Sequence, residues 1–131
     1  MRKTVLIVND EEAPRSALRQ AFAARGYRVA EAADGSEGLL LAARHLPDLI
    51  VLDLIMPGLD GLTTLVRLKD GERTAPVPVI MVEGRAGRFH RAMALDLGAV
   101  EVFGTDDGPE GIAAAGENII VSRRRGSDPA T

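Results

Sequence analysis

Four short apolar runs, Thr4–Val8, Leu49–Leu52, Val77–Val82 and Val100–Phe103, constrain the fold more than any other feature of the chain. They do not alternate apolar with polar residues, as a strand wetted on one face would, so they read as strands covered on both faces. A fifth run, Tyr27–Ala32, alternates more and reads as a strand nearer an edge. Between the runs lie segments of helical character. Glu12–Arg25 places Leu18, Ala21 and Phe22 on one face, and Gly26 follows where a helix C-terminal glycine belongs. Gly35–His45 and Gly61–Lys69 are rich in leucine and alanine, and Arg88–Leu97 spaces Phe89, Met93 and Leu97 along one stripe. Pro109–Arg125 is the weak segment, because Gly111 and Gly116 each cost about 1 kcal/mol against alanine in a helix interior. A short or irregular last helix is expected there. Strand starts lie roughly 20–30 residues apart, the length of a βα unit with its right-handed crossover. The expected fold is therefore α/β, a doubly wound five-stranded parallel sheet with helices on both faces.

Composition narrows the function classes. The chain has 131 residues, enough for one ordinary domain, and an apolar fraction of 46%, the balance of a globular protein. It has no cysteine, which removes thiol catalysis, disulfide scaffolds and zinc–thiolate sites. A formal net charge of −3 and only 3% aromatic residues argue against a nucleic-acid binder. No apolar stretch approaches the roughly 20 residues of a membrane span, and no signal peptide is evident, so a cytoplasmic domain is expected. Residues 1–123 read as the domain and 124–131 as a disordered tail. There is no phosphate-binding GxxxxGK loop, no GxSxG elbow and no HExxH zinc helix.

In an open parallel sheet, ligands bind outside the carboxyl ends of the strands. Acidic or polar residues follow four of the apolar runs: Asn9, Asp10 and Glu11; then Asp53; then Glu83; then Thr105, Asp106 and Asp107. Neighbouring parallel strands lie about 5 Å apart, so carboxylates at adjacent ends come within reach of one ion. Magnesium takes such oxygens and keeps several waters. Without an ion, a buried patch of acids needs raised pKa values.

The blocks VLIVNDE (Val5–Glu11), ADG (Ala33–Gly35), PDLIVLDLIMPGLDG (Pro47–Gly61), PVIMVEG (Pro78–Gly84) and LGA (Leu97–Ala99) carry a family resemblance. From Arg2 to about Thr105 the chain resembles the receiver domain of bacterial response regulators. That resemblance implies a flavodoxin-like strand order, 2-1-3-4-5. It implies Asp53 as phosphoacceptor, with Asp10, Asp53 and the backbone carbonyl of Ile55 holding Mg2+ (or Mn2+), and Glu11 and Glu83 as further candidate ligands. It also implies a histidine kinase or phosphotransfer protein as donor. The downstream protein would be met on the face of the fourth helix, fifth strand and fifth helix. Met56, Pro57 and Gly58 form the turn that holds the backbone beyond Asp53, proline fixing φ and glycine relieving crowding.

The chain departs from the family at the remaining functional positions. Asn9 stands for the first acid of a pair, Glu83 for the switch hydroxyl, Val102 for the switch aromatic, Thr105 for a lysine and Asp106 for a proline. Asp10, Glu11, Asp53 and Glu83 would make a pocket of four carboxylates without the lysine, and Asp106 would add to it. Losing a lysine about 4 Å from a phosphoryl oxygen removes on the order of 4 kcal/mol of gross attraction. Asp10, Asp53 and Glu83 together read as a three-acid metal set, so the site is expected to keep metal affinity while losing phosphoryl affinity. Arg85 and Arg88 are candidates for a replacement cation, with solvated arginines the simpler reading. His45 and His90 read as helix-surface residues. The function expected is that of a stand-alone, atypical receiver accepting phosphate on Asp53 and acting through protein contacts, rather than a dedicated enzyme. Two alternatives stand beside it. One is a pseudo-receiver that binds partners without phosphorylation, and the other a metal-dependent phosphatase-like activity at the acidic pocket.

Overall fold

The computed structural model describes residues 2–56, 58–83 and 89–126. Its elements are β1 (Thr4–Val8), α1 (Glu12–Ala24), β2 (Arg28–Ala32), α2 (Gly35–His45), β3 (Leu49–Asp53), α3 (Gly61–Asp70), β4 (Val79–Glu83), α4 (Phe89–Asp96), β5 (Glu101–Gly104), a 3-10 turn (Thr105–Asp107) and α5 (Gly108–Gly126). The five strands form one parallel sheet in the order β2-β1-β3-β4-β5. The order and the five-strand count match the expectation, and β2, the alternating run, lies at an edge.

Strand period two divides the core into two layers. Leu6, Val8, Ile50, Leu52, Val79 and Met81 face one side, where α2, α3 and α4 cover them. Val5, Ile7, Leu49, Val51 and Ile80 face the other, against Leu18, Ala21 and Phe22 of α1 and Ile112, Ala113 and Ile120 of α5. The face foreseen for α1 is the buried one. Its end is a Schellman arrangement: Gly26, at φ +94°, donates to the Ala23 carbonyl, and Tyr27 donates to that of Phe22.

Three expectations need correction. The last helix is continuous over 19 residues. Gly116 explains this, since it is buried where a Cβ would collide with Leu49 and Phe22, and close helix–sheet approach offsets its poor propensity. That helix also crosses the expected boundary at 123/124; the tail residues 127–131 lie outside those described. In α4, Ala94 is the fully buried residue while Met93 is 51% exposed, so the core face is rotated from the expected stripe. Short apolar stripes leave helix rotation to the packing partners, here β5 and the loop at Ala99. Among the described residues no helix is long and apolar enough to cross a membrane.

Candidate functional site

Asp53 ends β3, the central strand, and is half-buried. Its Cα is paired with that of Val82 on β4, and Asn9 follows directly on Val8, which pairs with Leu52. Asp10 stands one residue further along, partly exposed, and Glu11 is exposed. Burial, then the charge of Asp10 and then that of Glu11 push the Asp53 carboxyl up to about 6, against the opposing pull of the Leu54 and Ile55 N–H groups. The acids at the ends of β1 and β3 therefore do converge, and one of them is a weakened acid as a buried acidic patch requires.

The loop after β1 is built around Asn9. This residue is 6% exposed, and each of its polar groups that bonds has a distinct task. Its N–H donates to the Ala32 carbonyl, its Oδ1 accepts from the Glu11 N–H at 2.9 Å, and its carbonyl accepts from Arg15 Nη1 at 2.8 Å. Glu31 on β2 holds Arg15 (3.1 Å) and Arg19 (3.4 Å) in turn. Arg15 and Glu31 thus position the loop, a role no sequence motif announced.

On the other flank, α3 begins against the β3 terminus. Asp60 caps it by accepting from the Thr63 N–H, and the Gly61 N–H donates to the Leu54 carbonyl at 2.9 Å. A Cβ on Gly61 would strike the Asp53 carbonyl oxygen, so glycine is required here for the backbone to pass so closely. Asp34 caps α2 in the same way, with Glu37 reaching back to the Ala33 N–H. Met56 is buried and Ile55 exposed, whereas Pro57 of the expected turn lies outside the described residues. Gly58 has φ +74°, as its place in the turn demands.

Glu83 does not join Asp10 and Asp53. Alternation along β4 places it on the side opposite Val82, and its carboxylate lies 3.4 Å from His90 Nδ1 on α4. Among the described residues no three His, Cys, Asp or Glu side chains group closely enough to hold a metal, so the expected three-acid set does not form. His90, read from sequence as a plain surface residue, is Glu83's partner. Arg91, beside it, ties α4 to β5 through the Val102 carbonyl (2.8 Å) and Glu101 (2.7 Å). Val102 is buried, Asp106 is exposed, and Asp107 accepts from the Gly104 N–H at 2.8 Å. Thr105 lies in the 3-10 turn after β5. Lys69 serves at the other end of the sheet, donating to the carbonyls of Ala75 and Val77 that precede β4. Arg85 and Arg88 lie outside the described residues.

The model of the response regulator receiver domain matches residues 5–105. The chain belongs to that family. This receiver is 41% identical over 99 residues to response regulator PleD of Caulobacter vibrioides, a match covering 76% of the chain and 22% of PleD. It is 40% identical over 123 residues to the KDP operon transcriptional regulatory protein KdpE of Escherichia coli, covering 94% of the chain and 52% of KdpE. The receiver thus spans about half or less of these curated relatives. Among solved structures, a putative response regulator from Chloroflexus aurantiacus is 26% identical with a TM-score of 0.86, over 92% of this chain and 99% of that one. A CheY-like receiver domain protein from Methanospirillum hungatei superposes with a TM-score of 0.89 at 23% identity, over 97% and 100% of the two chains, and shows the same fold.

The donor chemistry fits a divalent ion of the hard type. Magnesium needs only one or two carboxylates, with waters completing its shell, and two carboxylates near enough for the charge of one to add to the burial that weakens the other are such a pair. Asp10 and Asp53 are the residues that could hold it, with Ile55, an exposed residue, two positions further along.

Proposed function

We propose that this receiver accepts a phosphoryl group on Asp53 from a phosphohistidine of a histidine kinase or phosphotransfer protein. The observation that supports this most is the place of Asp53, half-buried at the end of the central strand with Asp10 beside it. An Asp53 oxygen attacks phosphorus in line, the P–N bond breaks, and the imidazole leaves with its electron pair. Asp10, Asp53 and the Ile55 carbonyl are the ligands we assign to Mg2+. Bound there, the ion would neutralise charge on the phosphoryl oxygens. Asn9 and Arg15 keep the loop in place, and Gly61 lets α3 close under Asp53 without displacing it. A carboxyl pushed up to about 6 is still mostly ionised at neutral pH, and more basic than an ordinary aspartate.

Signal transfer is assigned to the face of α4, β5 and α5, where Met93, Val100 and Val121 are exposed. A shallow depression there, lined by residues including Asn118, Ile119 and Arg123, offers a contact for a downstream protein. A cytoplasmic setting follows from the same reading.

One observation favours a second reading, partner binding without phosphorylation. Glu83, at the switch position, already has a partner in His90, which links the end of β4 to the first turn of α4 before any phosphoryl group arrives. Incubation with acetyl phosphate and Mg2+, followed by intact-mass measurement, separates the two. One added phosphoryl group, absent from Asp53→Asn, is the expected result. No addition at high donor concentration overturns the phosphoacceptor reading and leaves the second, whose mark is partner binding unchanged by Asp53→Ala.

A further inference from the structure

We infer that Asn9 is a specificity-determining residue of the acidic site, its side-chain amide donating a hydrogen bond to an anionic group carried on Asp53. The inference rests on the phosphoacceptor reading above and on the orientation of one amide. Asn9 Oδ1 accepts from the Glu11 N–H, and because a backbone N–H can only donate, this fixes which end of the carboxamide is oxygen. The Asn9 main chain is also fully engaged, donating to Ala32 and accepting from Arg15.

What is left is the NH2 group. It donates to no other group among the described residues, and among them no enclosed side-chain nitrogen or oxygen lacks a partner. The residue is nevertheless more than nine-tenths buried. The strand register says what its side chain faces. Asn9 and Asp53 are the residues directly beyond the paired Val8 and Leu52. Alternation puts Asn9 on the side of Ile7 and Asp53 on the side of Val51, and both of those residues face the same core layer. The amide donor and the Asp53 carboxylate therefore stand on one face, about one strand spacing apart. No hydrogen bond joins the two, and an oxygen of a third group carried on Asp53 is the acceptor we assign to the amide.

The consequence is a trade. A carboxylate at position 9 could still accept from the Glu11 N–H while turning its second oxygen to the site, adding a ligand for a divalent ion and repelling an anion. Asparagine does the reverse, keeping the cap and presenting a donor. In a site where Thr105 stands in place of a lysine, Asn9 supplies part of the missing attraction for phosphoryl oxygens without adding charge.

The test uses BeF3−, a phosphoryl mimic formed from beryllium chloride and fluoride, on the full chain, with 19F NMR reporting bound fluoride. Mg2+ affinity is measured separately, and the mimic is titrated at saturating Mg2+. Asn9→Asp is expected to bind Mg2+ more tightly but the mimic about tenfold or more weakly, since a charged hydrogen bond is lost. Asn9→Ala, which adds no carboxylate, is expected to lose mimic affinity by at least about threefold at unchanged Mg2+ affinity, and serves if Asn9→Asp does not fold. Opposite movements of the two affinities in Asn9→Asp are not produced by a merely structural cap. Mimic binding equal to wild type in the folded variants overturns this inference alone. A wild-type protein that binds no mimic overturns the phosphoacceptor reading, and this inference with it.

Discussion

Asp53 makes the stability of this receiver depend on pH in an unusual direction. Its carboxyl titrates at about 6 when folded, against an unperturbed value of 3.8, because burial and the Asp10 charge disfavour the anion. Between those two values the folded chain binds more protons than the unfolded chain, so stability falls as pH rises through that window and stays lower above it. A shift of about two units is worth about 3 kcal/mol at a closed site, and solvent screening at this part-open one reduces it to about 1–2 kcal/mol. Asp53→Asn should therefore be more stable than wild type by about 1–2 kcal/mol at pH 7–8, and the two should converge below pH 4. Urea denaturation across that range checks it, and parallel curves would show that Asp53 is not strained. The residue scale was also where sequence reading was least complete. That Asp10 and Asp53 come near each other was legible because each stands at the end of an apolar run in a specific block. Glu83 was misplaced, since strand alternation and a partner seven residues away decide where a side chain at a strand end turns. Arg15 could not be read at all, because its bond to the loop goes to a backbone carbonyl, which carries no side-chain signature, and its other partner, Glu31, lies on a different strand.

At the scale of elements, three glycines with the same letter have different physical duties. Gly111 lies in α5 with open space around its Cα, so Gly111→Ala should stabilise by about 0.5–1 kcal/mol through helix propensity alone. Gly116→Ala, in the same helix, meets Phe22 and Leu49 and should destabilise by about 1–3 kcal/mol. Gly61→Ala meets backbone oxygen at the start of α3, which cannot yield as a side chain can, and should cost more than Gly116→Ala. Thermal and urea denaturation of the three variants gives the order directly, and a destabilising Gly111→Ala would contradict the packing described. The sequence counted Gly111 and Gly116 alike against the helix, because propensity is visible in one segment and packing is a property of two. The α4 tie is weaker. Glu83 and His90 form a part-exposed pair, so a double-mutant cycle with Glu83→Gln and His90→Gln should return a coupling of about 0.2–1 kcal/mol. A coupling of zero would remove the contact that favours the second functional reading.

For the whole molecule, the parallel sheet places Asp10, Asp53 and Glu83 at the carboxyl ends of its strands, while polar links elsewhere hold its layers together. Arg25 and Tyr27, at the α1–β2 junction, both bind Glu117 of α5 (2.9 and 3.1 Å), and the Tyr27 hydroxyl is pushed up to about 12 by burial and that carboxylate. This architecture was legible from the spacing of apolar runs, since covering a sheet on both faces leaves few topologies. The ion site proposed at the acidic end would couple ion binding to global stability. A divalent ion that binds only the folded chain stabilises it by mass action, about 1.4 kcal/mol for 10 mM ion at a site with a dissociation constant near 1 mM. Binding at Asp53 would also remove the penalty of its ionised form, so the two effects would act on one group. Mg2+ at 10 mM should raise the melting temperature of wild type at pH 7.5 by about 3–6 °C. The rise should be smaller at pH 5, where Asp53 is largely protonated and the ion must displace a proton. In Asp10→Asn and Asp53→Asn it should shrink to the level seen with an equal ionic strength of sodium chloride. Differential scanning calorimetry of the three proteins at both pH values decides this, and an Mg2+ shift that survives both substitutions would place the ion elsewhere on the chain.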